Sequence, residues 1–391
     1  LKLHRPSPFH WLSIYYGTFF FAFGVYLPFW SVWLAWLGLS PDEIGIVLGA
    51  GIMTRFVVNL TVTPRFHLPE HLLPAARWVA FLGATVGFLH LIATPNLLWL
   101  TVLSVLINSV IGPAVPVSDA LANHYHRRKL VDYGKARLWG SLAFVVGSMA
   151  TGSMVDTFGP SVIVPMAAVA LLITWCWSLF SPNPLPKNET QQPLARPPIL
   201  QVLKSRSVIT FFIIVSLIQG SHATYYAFSA IHWTQSGISD LWVGYLWSLG
   251  VGVEVLMFAF SQRLFGGWSV QSLFRLAACV VILRWLLTGW STELSVLVFA
   301  QSLHGITFGV AHIAAMRYIQ QQTADRVMAL QALYSALPLG GVMAVLTVLS
   351  GESFGLWGGD SFYLMALLGV PVLFLSLPMT QPKDSAVCAK S

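Results

Sequence analysis

Residues 11–39 read WLSIYYGTFFFAFGVYLPFWSVWLAWLGL, a run without a single charged side chain. About 20 apolar residues suffice to cross the hydrocarbon of a bilayer as an α-helix. Backbone polar groups cannot stay unpaired in hydrocarbon, so the run must be helical. Its hydrophobicity is continuous rather than alternating, which excludes a lipid-facing strand of a barrel. The rest of the chain follows suit. Of 391 residues, 56% are hydrophobic and 9% charged, against about 25% charged in an ordinary soluble domain. This composition describes an all-α polytopic membrane protein.

Hydropathy predicts spans near 11–36, 43–63, 76–94, 97–121, 137–155 and 160–180, then near 207–233, 241–262, 272–290, 294–318, 328–350 and 360–379. The longest polar stretch, SPNPLPKNETQQPLARPP at 181–198, has the Pro, Asn and Gln content of a linker. The expected organisation is therefore a six-helix bundle over 1–182, a linker over 183–206 and a second six-helix bundle over 207–391. The first span is too long for a cleavable leader and is read as a permanent anchor.

Basic residues set the expected orientation. Loops on one side carry Asp42, Glu43, Asp156, Asp240, Glu293, Glu352 and Asp360 with no Lys or Arg. Loops on the other carry Arg65, Arg77, Arg127, Arg128, Lys129, Lys187, Arg196, Lys204, Arg206, Arg263, Arg326 and Lys383. That segregation places both termini in the cytoplasm. It also accounts for the net charge of +7 as a topology signal beside anionic lipid, with no nucleic-acid partner. The turn HYHRRK, 124–129, is read the same way. Cys176, Cys279 and Cys388 have neither disulfide nor metal spacing, so no metal and no bound cofactor is expected.

A weak internal repeat joins the two sets of spans. GIVLGAGIMTRF begins at Gly45 and GYLWSLGVGVEV at Gly244, and each carries a charge ten residues on, Arg55 and Glu254. Glycines so spaced let helices approach closely. With the six-plus-six layout, the match points to two parallel halves, the arrangement of major facilitator transporters.

Charges inside spans are costly and mark function or a buried pair. Arg55, Asp119, Arg137, Glu254, Arg284 and His304 are the candidates. Asp119 and Arg137 lie near the cytoplasmic ends of their spans, within snorkelling reach. Glu254 and Arg284 lie deep in theirs, and an adjustable Glu254–Arg284 pair could couple transport to protons. His304 could relay or hold a proton, whereas His222, His232 and His312 are read as hydrogen-bonded packing residues. Tyr26, Trp30, Phe144, Tyr225, Tyr226 and Trp247 are packing or interfacial aromatics that could instead line a cavity for a flat ring.

The stretches LPFWSVWL (27–34), SDALAN (118–123), DYGKARLWGS (132–141), YLWSLGV (245–251) and AMRYI (315–319) resemble the phenylpropionate permease family of the major facilitator superfamily. A more distant resemblance is to the lactose permease family. It implies substrate contacts for Asp119 and Arg137, eighteen residues apart, and for the aromatic Phe144 seven residues on. The same resemblance aligns Arg284 and His304, twenty residues apart, with a proton-handling pair. The family's glutamate and lysine beside that histidine are Thr307 and Gln301 here, which leaves Glu254 as the remaining carboxylate. The facilitator motif between the second and third spans is degraded to NLTVTPRFHLPEH (59–71).

The resemblance implies proton-coupled import of a small aromatic monocarboxylate, 3-phenylpropionate by the family's name, across a bacterial inner membrane by a monomer. Tyr26, Asp119, Arg137, Phe144 and Arg284 are the expected substrate contacts, with Glu254, Arg284 and His304 coupling protons. The driving force is the proton gradient. A proton symporter of a sugar or nucleoside is the alternative. An integral-membrane enzyme using Asp119, His124 and His126 is the rival from another class. Its groups would cluster at one face, whereas the charges here are spread over many spans.

Overall fold

The computed structural model describes residues 5–66, 68–187 and 202–378. The middle of the linker with Arg196, and Lys383 and Cys388 near the end, lie outside the described residues. Among the described residues, eleven helical segments are long and apolar enough to cross a membrane. They are α1 (Pro8–Trp36), α2 (Pro41–Arg65), α3 (Pro69–Ile92), α4 (Leu97–Arg127), α5 (Tyr133–Phe158) and α6 (Pro160–Ser178). After the linker come α7 (Arg206–Gln235), α8 (Asp240–Phe265), α9 (Val270–Trp290), α10 (Leu294–Gln320) and α11 (Arg326–Phe374).

Short polar residues start these helices by accepting from otherwise orphaned backbone N–H groups. Ser7 accepts from His10, Asn96 from Trp99, Asp132 from Lys135, Ser239 from Trp242 and Ser269 from Ser272. At α2 the Glu43 carboxylate reaches back to the Ser40 backbone N–H at 3.0 Å. Gly38 and Gly237 take positive φ in the turns that follow α1 and α7, where a side chain would be strained.

Most ends shift by a few residues from their expected limits, α3 starting seven residues early, and two differences bear on the architecture. The fourth helix runs on to Arg127, so HYHRRK is mostly the last turn of α4 rather than a loop. Only Arg128–Asp132 makes the turn, with Lys129 at φ 57°. The polar residues after Asp119 keep their helical bonds because a helix needs no apolar side chains once it leaves the hydrocarbon. The other is α11, which spans 49 residues where two spans were expected. A short tight turn at Gly358–Asp360 interrupts it, and the helix beyond, Ser361–Phe374, packs along α9.

Before the linker, α1 packs on α5 and α6, α3 on α6, and α2 on α4. Contacts across the linker concentrate where α2 meets α11 and α5 meets α8. Both seams are glycine-lined. A Cβ on Gly45 would stand 2.8 Å from the Gly351 Cα, and one on Gly244 would strike the Ser148 carbonyl. Close backbone approach supplies van der Waals attraction that lipid, as apolar as the side chains, does not provide by exclusion.

Candidate functional site

Between these seams lies a cavity of about 400 Å³ with walls from α1, α2, α5, α7, α8, α10 and α11. That size falls within the range of small-molecule sites. Nine aromatic side chains line it: Phe20, Phe23, Tyr26, Trp30, Phe144, Tyr225, Tyr226, Trp247 and Phe308. Trp247 stacks on Tyr225 with ring centres 4.5 Å apart, and Phe144 lies 6.2 Å from Phe23. Besides tyrosines, four ionisable side chains reach the cavity: Arg55 and Arg137 from segments before the linker, Glu254 and His304 from segments after it. Arg55 and Glu254, equivalent in the internal repeat, thus line one space.

Arg137 sits over the Phe20 ring at 4.1 Å, a cation–π contact, and its Nε is 3.9 Å from Asp119 Oδ1. Asp119 itself stands behind the lining. The Tyr16 hydroxyl donates to its Oδ1 at 2.7 Å, so its place is a buttress for Arg137 rather than part of the wall. Helix α4 puts it there by packing its C-terminal part against α1.

Arg284 is fully buried behind the opposite wall. Its Nη1 donates to His304 Nδ1 at 2.9 Å and to Thr307 Oγ1 at 3.0 Å, and its Nη2 donates to Gln301 at 2.9 Å. The Tyr225 and Trp285 rings flank its guanidinium at 4.7 and 4.3 Å. Among the described residues no carboxylate lies within ion-pair distance of it. A direct Glu254–Arg284 pair is therefore not formed. His304 stands between them, with Nε2 3.5 Å from Glu254 Oε2.

The donors settle the tautomers. A guanidinium can only donate, so His304 Nδ1 accepts and the imidazole's proton lies on Nε2, facing Glu254. While this bond holds, His304 is a neutral bridge between Arg284 and Glu254. Thr307, accepting from Arg284, faces the His304 backbone carbonyl at 3.2 Å and His222 Nε2 at 3.1 Å with its hydroxyl, and His222 Nδ1 faces the Ile218 and Gln219 carbonyls at 3.2 Å. A π-helical turn at Gly305–Val310 follows His304 directly, a distortion that recurs at functional sites. It lets Thr307 and His304 face the same guanidinium. His312 bonds the Tyr334 hydroxyl at 2.8 Å. His232 packs beneath Gly359, where an added Cβ would strike the ring.

Asn108 was not foreseen as a site residue. It accepts from Arg55 Nη2 at 2.7 Å and donates from Nδ2 to the Tyr26 hydroxyl oxygen at 3.1 Å. An amide within the apolar run LLWLTVLSVLINSVI was the available signal.

Residues 9–365 match the family model described as the MFS_1 like family. The chain is 40% identical over 365 residues to the "Probable 3-phenylpropionic acid transporter" of Escherichia coli (strain K12), covering 93% of this chain and 96% of that protein. It is 28% identical to the maltose permease of Geobacillus stearothermophilus, covering 93% of each. In structure it resembles the nucleoside transporter NupG, with a TM-score of 0.81 at 14% identity, covering 94% of this chain and 97% of that one. A POT family peptide transporter gives 0.69 at 12%, covering 94% and 95%. These are transporters and permeases, not enzymes. With its helical segments spanning the membrane many times and the family model running nearly end to end, the chain belongs to the MFS_1 like family of transporters.

Proposed function

We propose that this transporter imports a small aromatic monocarboxylate, 3-phenylpropionate, together with a proton across a bacterial inner membrane. The observation that carries the reading is the cavity itself. A flat ring is met by aromatic walls, an anion by Arg55 and Arg137, and a proton by Glu254 with His304 beside it. The name of the 40% identical relative supports the substrate.

The arrangement we propose is twelve spans in two six-helix halves, 1–182 and 207–391, joined by the linker over 183–206. Its support is the length of α11, more than one bilayer crossing requires, and its turn at Gly358–Asp360. Lys and Arg segregation supports cytoplasmic termini. The unit is a monomer driven by the proton gradient, without a bound cofactor. Rocking of the halves about the two glycine seams would expose the cavity to each side in turn. Asp119 serves substrate through Arg137, and Arg284 serves the proton site through His304. Phe144 and Tyr26 are ring and polar contacts.

Uptake of labelled 3-phenylpropionate into proteoliposomes, with and without an inward proton gradient, tests this. Accumulation above protein-free vesicles that requires the gradient is expected. Gradient-driven accumulation of maltose or uridine, with none of the acid, would replace the substrate.

A further inference from the structure

We propose that Arg55 is the residue that binds the substrate carboxylate, with the Tyr26 hydroxyl as second donor and Asn108 holding both. This rests on the aromatic-acid reading above and assigns the anion to one of three intramembrane arginines. Arg284 is excluded by burial and by bonds already made to His304, Thr307 and Gln301. Arg137 faces Asp119. Arg55 lines the cavity, and among the described residues no carboxylate lies within ion-pair distance of it. Its Nε is buried without a partner. A cation in an apolar wall that lacks a counter-ion gains most from an arriving anion.

Asn108 orients the pair. Its carbonyl oxygen must face Arg55, so its amide donates to the Tyr26 oxygen, and the Tyr26 proton is left for another acceptor. The surroundings make room for this geometry. A Cβ on Gly112 would lie 2.8 Å from Arg55 Cγ, and one on Gly51 would collide with the Asn108 amide. Across the cavity, Glu254 occupies the repeat-equivalent position. Three arginines face two carboxylates, Asp119 and Glu254, leaving one positive charge in excess; a substrate carboxylate offsets it, and a proton taken up by Glu254 restores it. A proton on Glu254 and a carboxylate on Arg55 would then travel together.

The test is equilibrium binding to the purified full chain of 3-phenylpropionate, benzoate, acetate and the uncharged 3-phenylpropanamide. Arg55→Gln should weaken 3-phenylpropionate by about 10- to 100-fold and leave the amide unchanged. Arg55→Lys should recover part of the loss, and Arg137→Gln should cost clearly less than Arg55→Gln. Asn108→Asp keeps Arg55 but supplies an internal carboxylate at the 2.7 Å position. It should weaken the acids selectively, whereas a merely structural Arg55 would be held more firmly with no loss of acid. Acid binding that survives Arg55→Gln or Asn108→Asp, or falls equally in Arg137→Gln, overturns the assignment. Arg55-dependent binding in which 3-phenylpropionate is no tighter than acetate upholds Arg55 and removes the aromatic substrate. A wild-type chain that binds none of the acids overturns both readings.

Discussion

The Asp156 carboxylate, in the last turn of α5, accepts from the backbone N–H of Asp240 at 2.8 Å, the first residue of α8. Its second oxygen accepts from Leu241 at 3.1 Å. A carboxylate from one side of the linker thus caps a helix from the other, where the exposed N–H groups and the helix dipole both favour negative charge. Gly152, one turn earlier, permits the approach, since a Cβ there would strike the Asp240 carbonyl.

This contact exists only while these ends of α5 and α8 are together. Asp156→Asn should weaken it by about 1–2 kcal/mol and shift the population roughly tenfold toward conformations with these ends apart. Gly152→Ala should act in the same direction. Spin labels at Thr157 and Ser236, in a chain with its native cysteines replaced, report the separation. Unchanged distance distributions in both variants would show that the contact does not bias the equilibrium.

Glu254→Gln should reduce uphill accumulation to passive equilibration while exchange of substrate across the membrane continues. Glutamine keeps the size of the side chain but cannot take up a proton at this site. Paired measurements of gradient-driven uptake and counterflow decide it. Uphill accumulation by the variant would remove Glu254 from coupling.

The bridging role of His304 makes an unusual substitution tolerable. Glutamine offers a carbonyl to Arg284 and an amide N–H to Glu254, so His304→Gln should retain gradient-driven uptake with the same pH profile. His304→Ala removes both bonds and should lose tenfold or more. A pH profile displaced in His304→Gln would mean that the imidazole itself titrates during transport.

Arg284→Met should lower thermal stability sharply. It orphans the acceptors of His304, Thr307 and Gln301, at a cost of about 3 kcal/mol or more. Thermal unfolding of the purified chain measures it. Wild-type stability in the variant would mean that the network is dispensable to the fold and acts only in coupling.

Much of this protein could be read along the chain. Length and hydropathy determine the helices, because hydrocarbon leaves the backbone no other way to pair its polar groups. The in-span charges Arg55, Asp119, Arg137, Glu254 and Arg284 stood out for the same reason: each is expensive enough in that solvent to require a partner or a purpose. The repeat that matches Arg55 with Glu254 was legible too, and both line the cavity.

Tertiary structure decided which partner each charge has. Lipid-facing and protein-facing sides of these helices are both apolar, so the amphipathic signal that orients a helix in a soluble protein is missing. Nothing in the chain order tells that Asp119 turns to Tyr16, that Asn108 joins Arg55 to Tyr26, or that His304 separates Glu254 from Arg284. These relations depend on helix rotation and on sub-ångström distances between segments far apart in sequence. Glycines at Gly45, Gly152 and Gly244 set those distances by how closely two backbones can approach.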